Sequence, residues 1–204
     1  MSPSPTPLPF VLLPLVFALA LGLLDPGASL AQSPSPGASA NPFDVAAGHP
    51  QAPYGDAMPP IVKNYLRASP YVGTGGVIRE GALGDLAGLG FKTLVNLVTP
   101  EEGAEAERGP AEAVGLTYVS IPIAGGAPTE AEIARLAEIV EEPFNYPVLV
   151  HCRSSNRVGA AWALYRAASG VPAEIAIQEG RTVGLKPSRE TAVREVLGLP
   201  PLER

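Results

Sequence analysis

The chain is poor in the residues that most often carry chemistry. Among its 204 residues there is one cysteine, Cys152, and there are two histidines, His49 and His151. A single cysteine excludes an internal disulfide and a multi-cysteine zinc site. Cations are also scarce: 14 Lys and Arg against 20 Asp and Glu leave a net charge of −6. That acidic balance argues against a general binder of nucleic acid or of a membrane surface. A hydrophobic fraction of 46% is enough to build a core, and the length fits one domain with extensions.

The first 60 residues contain no lysine or arginine and hold 13 of the 24 prolines. Residues 8–24, LPFVLLPLVFALALGLL, are almost wholly apolar and stop at Asp25. Ser29 and Ala31 are the small residues expected before a cut ahead of Gln32, so 1–31 reads as a signal peptide without a basic n-region. The competing reading is an uncleaved anchor, the one route by which a membrane becomes a partner. The run is short for a spanning helix, and Pro14 interrupts it. Export to the periplasm or medium is the expectation. Residues 32–60, rich in Pro, Ala, Gly and Ser, read as a flexible tether of polyproline character. His49 lies within it, which argues against a catalytic role. The folded domain is expected over 61–204.

Short apolar runs rich in β-branched residues predict buried strands at 91–98, 116–123 and 146–152, with a weaker edge strand at 71–78. Helical stretches fall between and after them: 82–90, 101–115 with a break or restart at Pro110, 129–142, one closed by Gly170, then near 172–181 and 187–198. Thr129 and Glu132 make a capping box. Ile133, Leu136, Ala137 and Val140 form one apolar face. Strands alternating with helices predict an α/β fold with a mainly parallel central sheet flanked by helices.

One stretch gathers what the rest lacks. Residues 150–160 read VHCRSSNRVGA, with Cys152 and His151 followed by Arg153 and Arg157. A strand ends here, a tight loop follows, and a helix begins near Arg157 or Val158. Ligands of open α/β sheets bind at the carboxyl ends of strands, and helix N-termini offer free N–H groups to anions. Such surroundings favour thiolate over thiol. Arg157 is suited to grip two oxygens of a phosphate or sulfate. Ser154 and Ser155 are placed to hydrogen-bond the thiolate or a leaving group, and Asn156 to brace the loop. The bland alternative makes Cys152 a small buried hydrophobe; two arginines and two serines in the next five residues weigh against it. His151 either holds the loop or tunes Cys152. Arg153 either faces solvent or meets a ligand.

HC followed by serines and a helix-opening arginine resembles the signature loop of the protein tyrosine phosphatase superfamily. GALGDLAGLGFKTLVNLVTPEE (81–102) and GLTYVSIPI (115–123) resemble the flanking pattern of its dual-specificity-like branch. HCRSSNRVGAAWALYR (151–166) is similar to a bacterial form, the phosphatase-like domain found with β-lactamase-like hydrolases. The resemblance implies a three-layer, cysteine-dependent phosphatase-like fold. It implies Cys152 as nucleophile and Arg157 as the second catalytic group. The backbone of Arg153, Ser154, Ser155, Asn156 and Val158 would hold phosphate, with His151 in support. The implied substrate is a phosphorylated protein or a small aryl phosphate, and no metal or organic cofactor is needed.

Three departures from that pattern bear on function. The usual loop has five residues between Cys and Arg, whereas here there are four. Four is also the spacing of many rhodanese-like sulfurtransferases, which carry a persulfide. Ser155 stands where glycine is usual, at a strain of about 1 kcal/mol if its φ is positive. Residues 121–129 lack the aspartate that serves as general acid, so that role is unassigned. Glu130 is the nearest carboxylate, and it has a competing role at the start of the helix at 129–142. Missing acid help lowers rates by roughly 10²–10⁴. Sulfur transfer and non-catalytic phosphate binding are therefore the alternatives to phosphatase activity. Glu101 and Glu102 follow the strand that ends at Thr99, so they either share the face of the sheet that carries Cys152 or favour a helix N-terminus. Glu179 and Arg181 are given no role.

Overall fold

The computed structural model describes residues 41–44 and 49–202; the proposed leader lies outside them. Five strands form one sheet in the order β1-β2-β5-β3-β4. They are β1 (Leu66–Ser69), β2 (Val72–Gly75), β3 (Thr93–Asn96), β4 (Thr117–Ser120) and β5 (Val148–His151). All pairs are parallel except β1–β2, which is an antiparallel hairpin. The expected α/β architecture is thus present. The stretch at 71–78 is not an edge strand, however. It pairs with both β1 and β5, because residues 66–69 supply an outer strand whose Leu-Arg-Ala-Ser sequence shows no alternation to predict it.

The helices are α1 (Leu83–Gly88), α2 (Glu105–Ala113), α3 (Glu130–Val140), α4 (Asn156–Ala168), α5 (Ala173–Val183) and α6 (Pro187–Val196). Side chains alternate along each strand and so divide between two faces. Val72, Val95, Val148 and Val150 join the core beneath α3, α4, α5 and α6. Leu94, Tyr118 and Leu149 join the core beneath α1 and α2. The three-layer arrangement follows, with β5 buried at the centre.

Local chemistry sets the helix ends. Thr129 accepts from the Glu132 N–H while the Glu132 carboxylate accepts from the Thr129 N–H at 2.6 Å, which is the expected capping box. Ile133, Leu136 and Val140 of the expected face are buried, joined by Ile139. Gly170 closes α4 with φ 92°. The break expected at Pro110 falls earlier, at Gly103, whose φ of 94° separates a short 3-10 turn, Pro100–Glu102, from α2. Pro110 sits inside α2 and removes one hydrogen bond without ending the helix.

The flexible-tether expectation does not hold for the described part of 32–60. The Ala52 side chain is buried, and its N–H donates to the Pro70 carbonyl at 2.8 Å. The Tyr65 hydroxyl donates to the Pro53 carbonyl at 2.7 Å. Phe43 lies 6.0 Å from the Trp162 ring beneath the Arg166 guanidinium. His49 stands edge-on to the stacked pair Tyr71 and Tyr146. Few apolar residues are present there, and Ala52 and Phe43 among them meet seats on the domain, whereas Tyr54 stays largely exposed. Proline-rich chain has little freedom to lose on docking.

A candidate active site at the carboxyl end of the central strand

Strand β5 ends at His151, and Cys152 begins the loop into α4. The thiol is free and 2% exposed, and the Cys152 N–H donates to the Gly75 carbonyl at 3.3 Å. Loop position is also held from the segment just after β2: Val77 N–H donates to the Arg153 carbonyl at 3.2 Å. Ser154 forms an antiparallel bridge with Gly76, which engages the loop backbone around it, while the N–H groups of 156–158 open α4 and have no acceptor within the helix. The start of α4 therefore presents free donors and a positive dipole end to Cys152.

Above the thiol is a pocket of about 240 Å³ lined by Cys152, Arg153, Ser154, Asn156, Arg157 and Arg189. Five of these six are the residues singled out from sequence. Val158 is also in the turn but buries its side chain in the core, so only its N–H can serve an anion. Asn156 braces as expected. Its amide donates to the Ser188 hydroxyl at 3.0 Å and its carbonyl oxygen accepts from the Lys186 N–H at 2.8 Å, tying the loop to the start of α6. His151 faces the other side of the sheet. Its Nε2 lies 2.9 Å from Glu107 Oε2, off the line of a good hydrogen bond, and the Asn96 amide donates to the same oxygen at 2.8 Å. It borders a second hollow of about 200 Å³ that also reaches Cys152 and Glu102.

Glu102 does more than cap a helix. Arg157 Nη2 lies 2.6 Å from its carboxylate, Arg153 Nε lies 3.3 Å from it, and Arg153 Nη2 donates to its backbone carbonyl at 2.7 Å. The same carboxylate accepts from Thr99 N–H and Oγ1, each at 3.2 Å, so the helix-end reading is correct but incomplete. The Arg157 hydrogen bond, against a burial cost, holds the Glu102 carboxyl down at about 2. The signal for this role is its place just beyond β3, beside the end of β5 in a parallel sheet.

Ser155 is buried with φ 65°, so the strain foreseen for a non-glycine residue is present. Its Cβ is accommodated because residue 184 is glycine. A Cβ on Gly184, itself at φ 131°, would come 2.5 Å from Ser155 Cβ. Gly184→Ala should therefore cost about 1–3 kcal/mol of stability. Adding Ser155→Gly should recover much of it, because it removes both the clash and about 1 kcal/mol of strain. Chemical denaturation of the two single variants and the double variant checks this.

No carboxylate borders the pocket over Cys152 among the described residues. Glu130 is exposed at the start of α3, on a separate groove between α3 and α4, and so cannot serve as the acid there. Glu179 pairs with Arg166, and Arg181 with Glu190, so neither is turned to the loop. Arg189, overlooked in sequence, does reach the pocket from α6.

A cysteine just past the central strand, a tight turn after it and an arginine in the first turn of the next helix sit on an α/β fold of the phosphatase-like class. The family model of the beta-lactamase hydrolase-like protein, phosphatase-like domain, matches residues 66–169. The chain belongs to that family, and the resemblance drawn from its sequence is borne out. No curated protein matches it. Solved structures share the fold. The core catalytic domain of the PP-IP phosphatase Siw14 from S. cerevisiae, in complex with citrate, is 19% identical with a TM-score of 0.55, over 67% of this chain and 86% of that one. TpbA from P. aeruginosa, in complex with pTyr, is 22% identical with a TM-score of 0.54, over 73% of this chain and 91% of that one.

Proposed function

We propose that the protein hydrolyses phosphate monoesters through a phosphocysteine intermediate, as a tyrosine- or dual-specificity-like phosphatase. The observation that carries this reading is the placement of a lone buried thiol under free N–H groups and an arginine fixed by a carboxylate. In the first step the Cys152 sulfur attacks phosphorus. The S–P bond forms, the P–O bond breaks, and its electron pair leaves with the alcohol oxygen. The N–H groups of 153–158 and the Arg157 guanidinium hold the equatorial oxygens as their charge grows. Water then attacks phosphorus and the S–P bond breaks, which restores the thiolate and releases inorganic phosphate.

The substrate class follows from what the pocket lacks. Without a carboxylic acid to protonate the leaving oxygen, phenols leave more readily than alkyl alcohols, so aryl phosphates and phosphotyrosine are favoured. The pTyr complex of the similar TpbA supports the same class. Sulfur transfer draws support from the four-residue spacing, and a thiosulfate donor is a tetrahedral anion that the same pocket admits, so turnover decides between the two. Export of the protein rests on the apolar leader.

The test is phosphate release from an aryl phosphate by the purified protein, beside thiocyanate formation from thiosulfate and cyanide. Steady phosphate release with no thiocyanate is expected. Thiocyanate without phosphate would replace this reading by sulfur transfer.

A further inference from the structure

The loop that follows β4 is where this fold would place a general acid, and residues 121–128 contain none. Arg189 occupies the gap. It is the third residue of α6 and its Nη1 donates to the carbonyls of Gly125 and Gly126, so it is tied to the acid-free loop itself. It also lines the pocket over Cys152. Its charge differs from that of the two other arginines there. Arg153 and Arg157 share Glu102, while Arg189 pairs with no carboxylate among the described residues. Nor does its Nε or Nη2 donate to any oxygen among them. Burial and the neighbouring Arg157 guanidinium weigh against its charge, while nearby Cys152 and Glu102 favour it, and an arriving anion would add to the favourable side.

We propose that Arg189 is a catalytic residue whose guanidinium meets the negative charge developing on the leaving oxygen, in place of the proton a general acid would give. The inference rests on the phosphatase reading above. The balance of the step is unchanged: the P–O electron pair goes to the leaving oxygen, which departs as an anion beside Arg189 and takes its proton from water afterwards. An arginine does not surrender a proton near neutrality, so its help is electrostatic. Such help matters most where the departing anion is least stable. Phenolates with electron-withdrawing groups need little of it, and unsubstituted phenolate needs more.

That dependence separates chemistry from architecture. Arg189 also secures the 125–126 carbonyls, and a purely structural loss would slow every substrate alike. The experiment measures kcat/KM, which reports formation of phosphocysteine, for 4-nitrophenyl phosphate and phenyl phosphate. It compares the wild-type protein with Arg189→Met and Arg189→Lys, with thermal unfolding to establish folding. Arg189→Met should lower kcat/KM less than ~10-fold for 4-nitrophenyl phosphate and ~10²–10³-fold for phenyl phosphate, steepening the leaving-group dependence. Arg189→Lys, which keeps charge but loses the fork, should fall between the two and remains informative if Arg189→Met does not fold. An equal loss for both substrates, or no loss, in the folded variants overturns the proposal while leaving the phosphatase reading intact. If wild-type protein releases phosphate from neither substrate, the phosphatase reading fails and the proposal with it.

Discussion

Cys152→Ser should abolish phosphate release, by a factor on the order of 10⁵–10⁶ in kcat, the scale seen when a covalent nucleophile is removed. A hydroxyl at this position has no base on the side of the phosphate pocket. Among the described residues no carboxylate or imidazole borders the pocket, and His151 points to the other face of the sheet, against Glu107. Serine is therefore left as an unactivated alcohol. Anion binding is a separate property. The N–H groups of 153–158, Arg157 and Arg189 all remain, so Cys152→Ser should still be stabilised by inorganic phosphate in a thermal unfolding assay. The pairing of these two results matters. Lost turnover with retained binding places Cys152 in the chemistry, whereas retained turnover in the variant would exclude it as nucleophile.

Arg157→Lys should lower kcat/KM by about 10²–10³, comparable to the loss of an oxyanion-hole donor. The lysine carries the same charge, but an ammonium cannot span two phosphoryl oxygens and Glu102 together. Arg157 is set for that double duty: Nη2 is committed to Glu102, and Nη1 approaches the Leu97 carbonyl at 3.4 Å. Glu102→Gln loosens the same anchor from the other side and should slow turnover while also lowering stability. The stability effect has a defined pH window. The Glu102 carboxyl is held at about 2, below its usual 4.5. A depressed carboxylate stabilises the folded state fully above its unfolded value and loses that contribution as pH falls through the folded one. The stability gap between wild type and Glu102→Gln should therefore be flat from neutrality to near pH 5, and shrink steadily below it. Urea unfolding at a series of pH values checks the shape. A gap that grows on acidification would contradict the assigned pairing.

How much of this was legible beforehand depended on how local the cause was. The run Val148–Leu149–Val150 is apolar and two of its three residues are β-branched, so a buried central strand was readable, and with it the position of Cys152. The capping box of Thr129 and Glu132 lies within four consecutive residues and was equally clear. Strand β1 was not, because Leu66–Ser69 takes its structure from pairing with β2 rather than from its own pattern. Glu102 could be placed near Cys152 from its position after β3, but its partner could not be named. Its hold on Arg157 spans 55 residues of chain and arises from the parallel placement of β3 beside β5. Arg189 gave no sign at all in sequence, since one arginine near a helix start looks like any other until α6 is brought against the loop after β4. The segment at 49–60 misled for the opposite reason. Its composition describes a chain unable to form a core, yet it needed only to dock on one.

The central claim is that phosphorus becomes bonded to the Cys152 sulfur. The most direct measurement is mass spectrometry of the protein quenched in acid soon after mixing with an aryl phosphate, followed by digestion and mapping of the peptide that holds residue 152. A phosphoryl group on Cys152 in wild type, absent from Cys152→Ser, is the predicted result. Steady phosphate release with an unmodified Cys152 at every quench time, or a persulfide formed there from thiosulfate without any phosphorylation, would contradict it.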